Sequence, residues 1–294
     1  MNKLLRLFLN MNRSMAVAIT FAALIFIGTL LLMLPVSNNA GEWMPFIDAL
    51  FTATSATCVT GLAVVDTGRY FTRFGSTTVL ILLIQIGGLG IMTMTTLFSV
   101  GLGKRISIRH RLLIQESLNQ EGPSGVIKMT LAIVKYTLVI EFVFGSILAA
   151  YFYGQMGAEA LYWGYWHSIS AFCNAGFDLF GNFKSLVDYR ADVLLNICFM
   201  LLIILGGIGF TVIGEVVQKR QWRLFSLHTK LVLLINTLLI FGGGLIIWLL
   251  ELENPGTLAG LNTGEQLLAA MFQSVSARTA GFNTVDIAML GNAT

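Results

Sequence analysis

Charge is what this sequence has little of. Only 11% of its 294 residues are Asp, Glu, Lys or Arg, where an average soluble domain carries about 25%. Hydrophobic residues make up 56%, and the mean hydropathy is +0.79. That balance excludes a soluble globular domain. It leaves an integral membrane protein whose apolar runs can cross a bilayer as helices. Cysteine is scarce too. Cys58, Cys173 and Cys198 have neither the number nor the spacing of a disulfide framework or a zinc site. The three histidines, His110, His167 and His228, join no nucleophile–base set. An enzyme is therefore not expected, and neither is a bound cofactor or a nucleic-acid partner. The first apolar run lacks a small-residue cleavage site, so it reads as a retained helix.

The few charges are unevenly placed. Lys3, Arg6 and Arg13 precede a helix expected over about 14–34, which Pro35 ends. Residues 36–50 hold no Lys or Arg but do hold Glu42 and Asp48. After a second apolar run, about 76–100, come Lys104, Arg105, Arg109, His110 and Arg111. A third run covers 126–153 and a fourth about 191–217, with Lys219, Arg220, Arg223 and Lys230 beyond it. A fifth covers about 231–250 and is followed by Glu251, Glu253 and Glu265. Basic and acidic flanks alternate. The positive-inside rule then puts the N-terminus and the loops 101–125 and 218–230 in the cytoplasm.

This topology constrains three shorter apolar segments, Pro45–Ala56, Leu161–Phe172 and Glu265–Ala277. Each is too short for a core that needs about 20 helical residues. A full crossing by the first would also move the basic cluster at 104–111 outside. Each segment is therefore expected to enter from the outside and return. Irregular backbone at membrane depth is tolerated where protein buries it or where it lines water.

The segments end in one repeated pattern: TSATCVTGL, SISAFCNAGF and SVSARTAGF. Each copy pairs Ser with Ala (Ser55, Ser170, Ser276) and then reaches a glycine (Gly61, Gly176, Gly281) followed by an apolar residue. A lone glycine would be an ordinary turn or packing residue. Three in matching topological positions point to a loop that works in multiples, around a shared aqueous axis. A selectivity filter replaces an ion's hydration shell with backbone carbonyls. Turning successive carbonyls one way needs positive φ, which glycine reaches without steric cost. A short helix ending at such a loop turns its partial negative charge toward the axis and favours a cation. All copies run in one direction, unlike the inverted repeats of many secondary transporters.

These three motifs, with GGLGIMT and GGIGFTV downstream of the first two, resemble the Trk/Ktr/HKT superfamily of potassium transporters, most closely the membrane subunits of bacterial Ktr systems. The resemblance implies an all-α polytopic membrane protein. Repeated helix–pore helix–filter loop–helix units would stand pseudo-symmetrically around one pore in the bacterial plasma membrane. It implies potassium transport, with potassium at the filter only. The implied ion-coordinating backbone is Val59, Thr60 and Gly61, then Asn174, Ala175 and Gly176, then Thr279, Ala280 and Gly281. Ser55, Ser170, Ser276 and Arg278 would support it. The implied partners are membrane lipid, a second copy in a homodimer, and a cytosolic nucleotide-binding regulatory subunit of the KtrA/TrkA kind. On this reading 1–13 is a cytoplasmic N-terminus, 14–100 a first repeat, 101–125 a cytoplasmic basic loop and 126–218 a second repeat. Residues 219–294 form a third repeat that lacks its last helix, and a fourth repeat would be needed to close the ring. Superfamily members favouring sodium are thought to carry Ser at the first filter glycine, so Gly61 favours potassium over a sodium or weakly selective pathway. A broken-helix secondary transporter is the remaining alternative.

Four other features stand out. Glu141 lies mid-helix, where an intramembrane carboxylate is a functional candidate by default. A hydrogen bond to a neighbouring helix is the plainer reading. Arg278 would repel a cation if it faced the axis, so it is expected behind its loop, paired with Glu265 or Asp286. His167 reads as a hydrogen-bonded packing residue. The segment Ser107–Gln120, SIRHRLLIQESLNQ, reads as a membrane-surface helix or as the docking face of the regulatory subunit.

Overall fold

The computed structural model describes residues 13–90, 93 and 126–294. The basic cluster at 104–111 and the segment Ser107–Gln120 lie outside the described residues. Within them the protein is helical, as expected, and its one extended pairing is an isolated bridge between Asn38 and Phe71.

Nine helices carry the fold of the described residues. They are α1 (Arg13–Met33), α2 (Phe46–Thr57), α3 (Phe74–Leu89), α4 (Val126–Met156), α5 (Glu159–Phe172), α6 (Val193–Gly207), α7 (Phe210–Lys219), α8 (Leu227–Glu251) and α9 (Thr263–Thr279). The first half of α3, Phe74–Ile81, is π-helical. At about 1.5 Å per residue, α4 and α8 exceed a hydrocarbon core of about 30 Å. The spans Ile127–Met156 and Leu227–Glu251 are apolar enough to cross it, and α6 with α7 make a third if taken as one broken span. The 12, 14 and 17 residues of α2, α5 and α9 fall short of that thickness.

Helix starts follow from local chemistry. Asp192 caps α6 by accepting from Leu195 N–H, and Ser226 caps α8 by accepting from Thr229 N–H. Asn262 and Glu265 form a reciprocal capping box at α9. Each short helix packs along the long helix before it, α2 on α1, α5 on α4 and α9 on α8. Small residues permit this. A Cβ on Gly164 would stand 2.4 Å from the Ala149 nitrogen, and one on Gly244 would stand 2.4 Å from the Met271 sulfur. Between the helices lies a core of aromatic and aliphatic side chains that includes Phe152, Phe177, Phe199, Phe272 and Phe282, all fully buried.

The apolar run at 191–217 reads as one crossing in the sequence, but the structure breaks it. Gly209 has a φ of 94°, and α6 and α7 meet at 98°. α3 likewise ends at Gly90, with a φ of 82°. Hydropathy is blind to such a break, because the residues on either side remain apolar.

The other glycines of GGLG and GGIG have a different task. A Cβ on Gly87 would lie 2.0 Å from the Thr57 carbonyl oxygen, and one on Gly206 would lie 1.7 Å from that of Phe172. Thr57 and Phe172 are the last residues of α2 and α5. The same glycine therefore receives the same helix end twice. Gly206→Ala is expected to lower stability by about 1–3 kcal/mol through overpacking, read as an earlier thermal transition in detergent. Gly242, in mid-α8 with nothing within 4 Å of its added Cβ, is the contrast. Gly242→Ala should raise stability by roughly 0.5–1 kcal/mol.

Candidate functional site

The three glycine loops, far apart in sequence, meet in space. A Cβ on Gly176 would stand 2.5 Å from the Ala280 oxygen, 2.9 Å from Gly61 Cα and 3.2 Å from Gly281 Cα. One on Gly61 would stand 3.0 Å from the Ala175 oxygen, and one on Gly281 would stand 3.3 Å from Gly176 Cα. All three have positive φ, at 83°, 70° and 79°. Backbone therefore faces backbone: a side chain on Gly176 would have to occupy space already filled, and one on Gly61 or Gly281 would press on its neighbours. The middle loop is the most enclosed: Asn174 and Ala175 are buried, whereas Thr60, Thr279 and Gly281 are exposed on the far sides. A cavity of about 440 Å³ runs beside the first and third loops, lined in part by Thr60, Gln273, Thr279 and Gly281.

The first two helix ends pass into their loops by the same five-residue backbone bond, whereas the third keeps a four-residue helical one. Thr60 N–H donates to the Ser55 carbonyl and Ala175 N–H to the Ser170 carbonyl, both at 2.8 Å. Ala280 N–H donates to the Ser276 carbonyl at 2.9 Å. The serine side chains reach past the glycine. Ser170 Oγ donates to the Phe177 carbonyl at 2.6 Å, and Ser276 Oγ donates to that of Phe282. Ser55 Oγ instead accepts from Leu62 N–H at 3.0 Å.

Sequence reasoning missed a second positive φ in two of the loops, at Val59 (55°) and Asn174 (58°), each two residues before a glycine. Left-handed and ordinary conformations thus alternate, which can turn successive carbonyls to one side. Asparagine tolerates this region, but for a β-branched valine it is an outlier that costs about 1–3 kcal/mol. The third loop differs: α9 continues through Thr279, and only Gly281 is left-handed.

The Asn174 side chain ties the middle loop to its surroundings. In the amide orientation that satisfies the network, its oxygen accepts from Gly207 N–H at 3.2 Å. Its nitrogen donates to Thr279 Oγ1 at 3.2 Å and to the Ile203 carbonyl at 3.3 Å. It thus grips the last turn of α6 next to the break. Longer-range contacts lock the segments after the loops. Asn182 N–H donates to Asp66, Leu186 N–H donates to the Asn283 carbonyl at 2.9 Å, and Asn283 N–H donates to Ser185 Oγ at 3.2 Å.

Arg278 does not pair as the sequence reading expected. Glu265 is engaged in the α9 capping box, and Asp286 Oδ1 accepts from Ala288 N–H at 3.0 Å. Among the described residues Arg278 makes no ion pair. Its Nη1 is buried without a partner, and its Nη2 stands 3.0 Å from where a Gly207 Cβ would sit. Cys173, at the equivalent place one loop earlier, fills the corresponding space over Gly88, with Sγ at 2.7 Å from an added Cβ. His167 is fully buried. Its Nδ1 is bonded to the Trp163 carbonyl at 2.8 Å and its Nε2 accepts from Leu179 N–H at 3.1 Å, the pattern of a neutral packing residue.

Comparisons with known proteins identify the family. Residues 6–294 match the TrkH family, described as cation transport protein. The chain belongs to the TrkH family of cation transport proteins. Ktr system potassium uptake protein B of Bacillus subtilis is 45% identical over 94% of this chain and 61% of its own length. The protein of the same name from Vibrio alginolyticus is 43% identical over 92% of this chain and 59% of its own. Potassium/sodium uptake protein NtpJ of Enterococcus hirae is 38% identical over 94% and 61%. The crystal structure of the potassium transporter TrkH from Vibrio parahaemolyticus superposes with a TM-score of 0.64 at 19% identity, over 96% of this chain and 54% of that one. The chain spans about three fifths of the length of its curated relatives. Family membership and the apolar helices together place it in a membrane.

The serine contacts make a graded prediction. Ser170→Ala removes a donor from a carbonyl in the buried core and should cost about 1–3 kcal/mol. Ser55→Ala frees an N–H at exposed Leu62 and should cost less. Thermal melting of the two variants side by side checks the order.

Proposed function

We propose that this chain forms the greater part of a potassium-translocating pore and that its three glycine loops are walls of the selectivity filter. The observation that carries the reading is the side-chain-free meeting of Gly61, Gly176 and Gly281 at the ends of three short helices. The backbone of Val59, Thr60 and Gly61, of Asn174, Ala175 and Gly176, and of Thr279, Ala280 and Gly281 would supply carbonyl oxygens to a dehydrated potassium ion. The short helices would add their C-terminal partial charges. Ser55, Ser170 and Ser276 would hold the loops from behind, and Arg278 would brace the third loop against the α6 bend. Potassium is cargo here, and no resident cofactor is needed.

The wider architecture belongs to the same proposal. Residues 14–100, 126–218 and 219–294 would be repeats around a pseudo-symmetric axis, with a fourth wall beside the cavity that Thr60 and Gly281 line. The N-terminus and the basic segments would face the cytoplasm, as the charge distribution supports. A homodimer in lipid, served by a nucleotide-binding regulatory subunit, is part of the same proposal; a relative named for a Ktr system supports a regulatory partner.

A mixed potassium/sodium pathway is the second reading, supported by the Enterococcus hirae relative's name. Rubidium uptake by the complete gene product in potassium-uptake-deficient cells separates the two. Competition by potassium but not by equimolar sodium is the expected result, and equal competition by sodium would overturn the potassium assignment. Gly61→Ser should shift discrimination toward sodium by roughly tenfold, the weight of about 1.4 kcal/mol.

A further inference from the structure

One carboxylate buried among the membrane-crossing helices has no place in the mechanism above. Glu141 sits midway along α4 and is 5% exposed. Such a group is costly at membrane depth and persists only with partners. Its partner is Gln85 of α3, whose Nε2 donates to Glu141 Oε1 at 3.1 Å and to Oε2 at 3.3 Å. Both Glu141 carboxyl oxygens accept from the same Gln85 nitrogen, so the nitrogen end of the amide faces Glu141. The amide oxygen is thereby turned the other way, and there it accepts from Cys173 Sγ at 3.9 Å. Cys173 caps the C-terminus of α5 and directly precedes Asn174, the left-handed residue of the middle loop.

Two further contacts align with this chain. Gly88, one helical turn beyond Gln85, lies beneath Cys173 so closely that its added Cβ would stand 2.8 Å from Cys173 Cβ. Ser168 Oγ on α5 donates to the Glu141 backbone carbonyl at 2.9 Å. α3 and α4 therefore clasp the end of α5 from two sides. The register two residues before GGIG in α6 is held by apolar Ile204 in place of Gln85. The serine contact recurs at the third short helix, where Ser274 Oγ donates to the Ile240 carbonyl at 2.8 Å, but among the described residues the Gln85 contact does not.

We propose that Glu141 and Gln85 are positioning residues for the middle filter loop. Glu141 orients the Gln85 amide, and Gln85 holds Cys173 so that the backbone from Asn174 to Gly176 keeps its alternating conformation. This inference rests on the filter reading, because only a filter turns loop register into ion discrimination.

The test is rubidium uptake by the complete gene product, with sodium competition and a detergent melting curve for each variant. Gln85→Leu and Glu141→Leu should each lower potassium-over-sodium discrimination by about 5–10-fold, the weight of one lost hydrogen bond. The exchanged pair, Gln85→Glu with Glu141→Gln, keeps one amide donor facing one carboxylate and should return discrimination to within about twofold of the parent. Cys173→Ser, which keeps a donor, should discriminate better than Cys173→Ala. If the leucine variants do not fold, the exchanged pair and the two Cys173 variants decide the matter. Unchanged discrimination in the single variants, or an exchanged pair no better than either single change, would overturn the proposal. Those outcomes are read against a selective parent, whereas a parent that fails to select potassium overturns the filter reading itself.

Discussion

Three stretches of backbone must approach one another with no side chain between them, and the rest of the structure serves that requirement. The separations leave no volume for a methyl group on Gly176 and little on Gly61 or Gly281. Such an approach cannot be stabilised by side-chain packing at the point of contact. It has to be imposed from behind. The short helices α2, α5 and α9 aim the loops, and their serines bond to the residue beyond each glycine. The buried phenylalanines Phe177 and Phe282 pin the chain as it leaves. Strain at Val59 is tolerable only because this surrounding structure over-determines it.

The GGLG and GGIG clusters show how three glycines in four residues can answer three separate demands. The first, Gly87 or Gly206, admits the carbonyl that ends a short helix. The second, Gly88 or Gly207, admits the residue at the same register in the next loop, Cys173 or Arg278. The last, Gly90 or Gly209, adopts a positive φ and ends the helix. Close packing thus accounts for the first two glycines of each cluster, and the break of the helix for the last.

What could be read from sequence divides along the same physical line. Segment length, charge alternation and glycine register are one-dimensional, and they carried the helical class and the spacing of the loops. The 98° break inside 191–217 was illegible, because hydropathy is the same for a straight helix and a broken one. The left-handed Val59 was illegible because its conformation contradicts its residue type. Arg278 was misread for a different reason. Pairing was inferred from nearby carboxylates in sequence, but Glu265 and Asp286 were already committed to capping backbone N–H groups. Local backbone demands captured those acids before a guanidinium could.

The third loop follows the same logic with a different outcome. In the first two, the helix stops at Thr57 and Phe172, and a cysteine caps it before the backbone turns left-handed. In the third, Arg278 stands in that cysteine's register and the helix runs on through Thr279. A cysteine fits the shallow space above Gly88. A guanidinium over Gly207 is larger, and it rises on a side chain whose backbone remains helical. Thr279 Oγ1 then becomes the acceptor for the Asn174 amide, which also grips the α6 turn. The third loop thereby gives up one left-handed residue, and its threonine gains a bond to its neighbour. The middle loop, bonded to the third through Asn174 and clasped by α3 and α4 through Cys173, is the one that the surrounding helices hold most firmly.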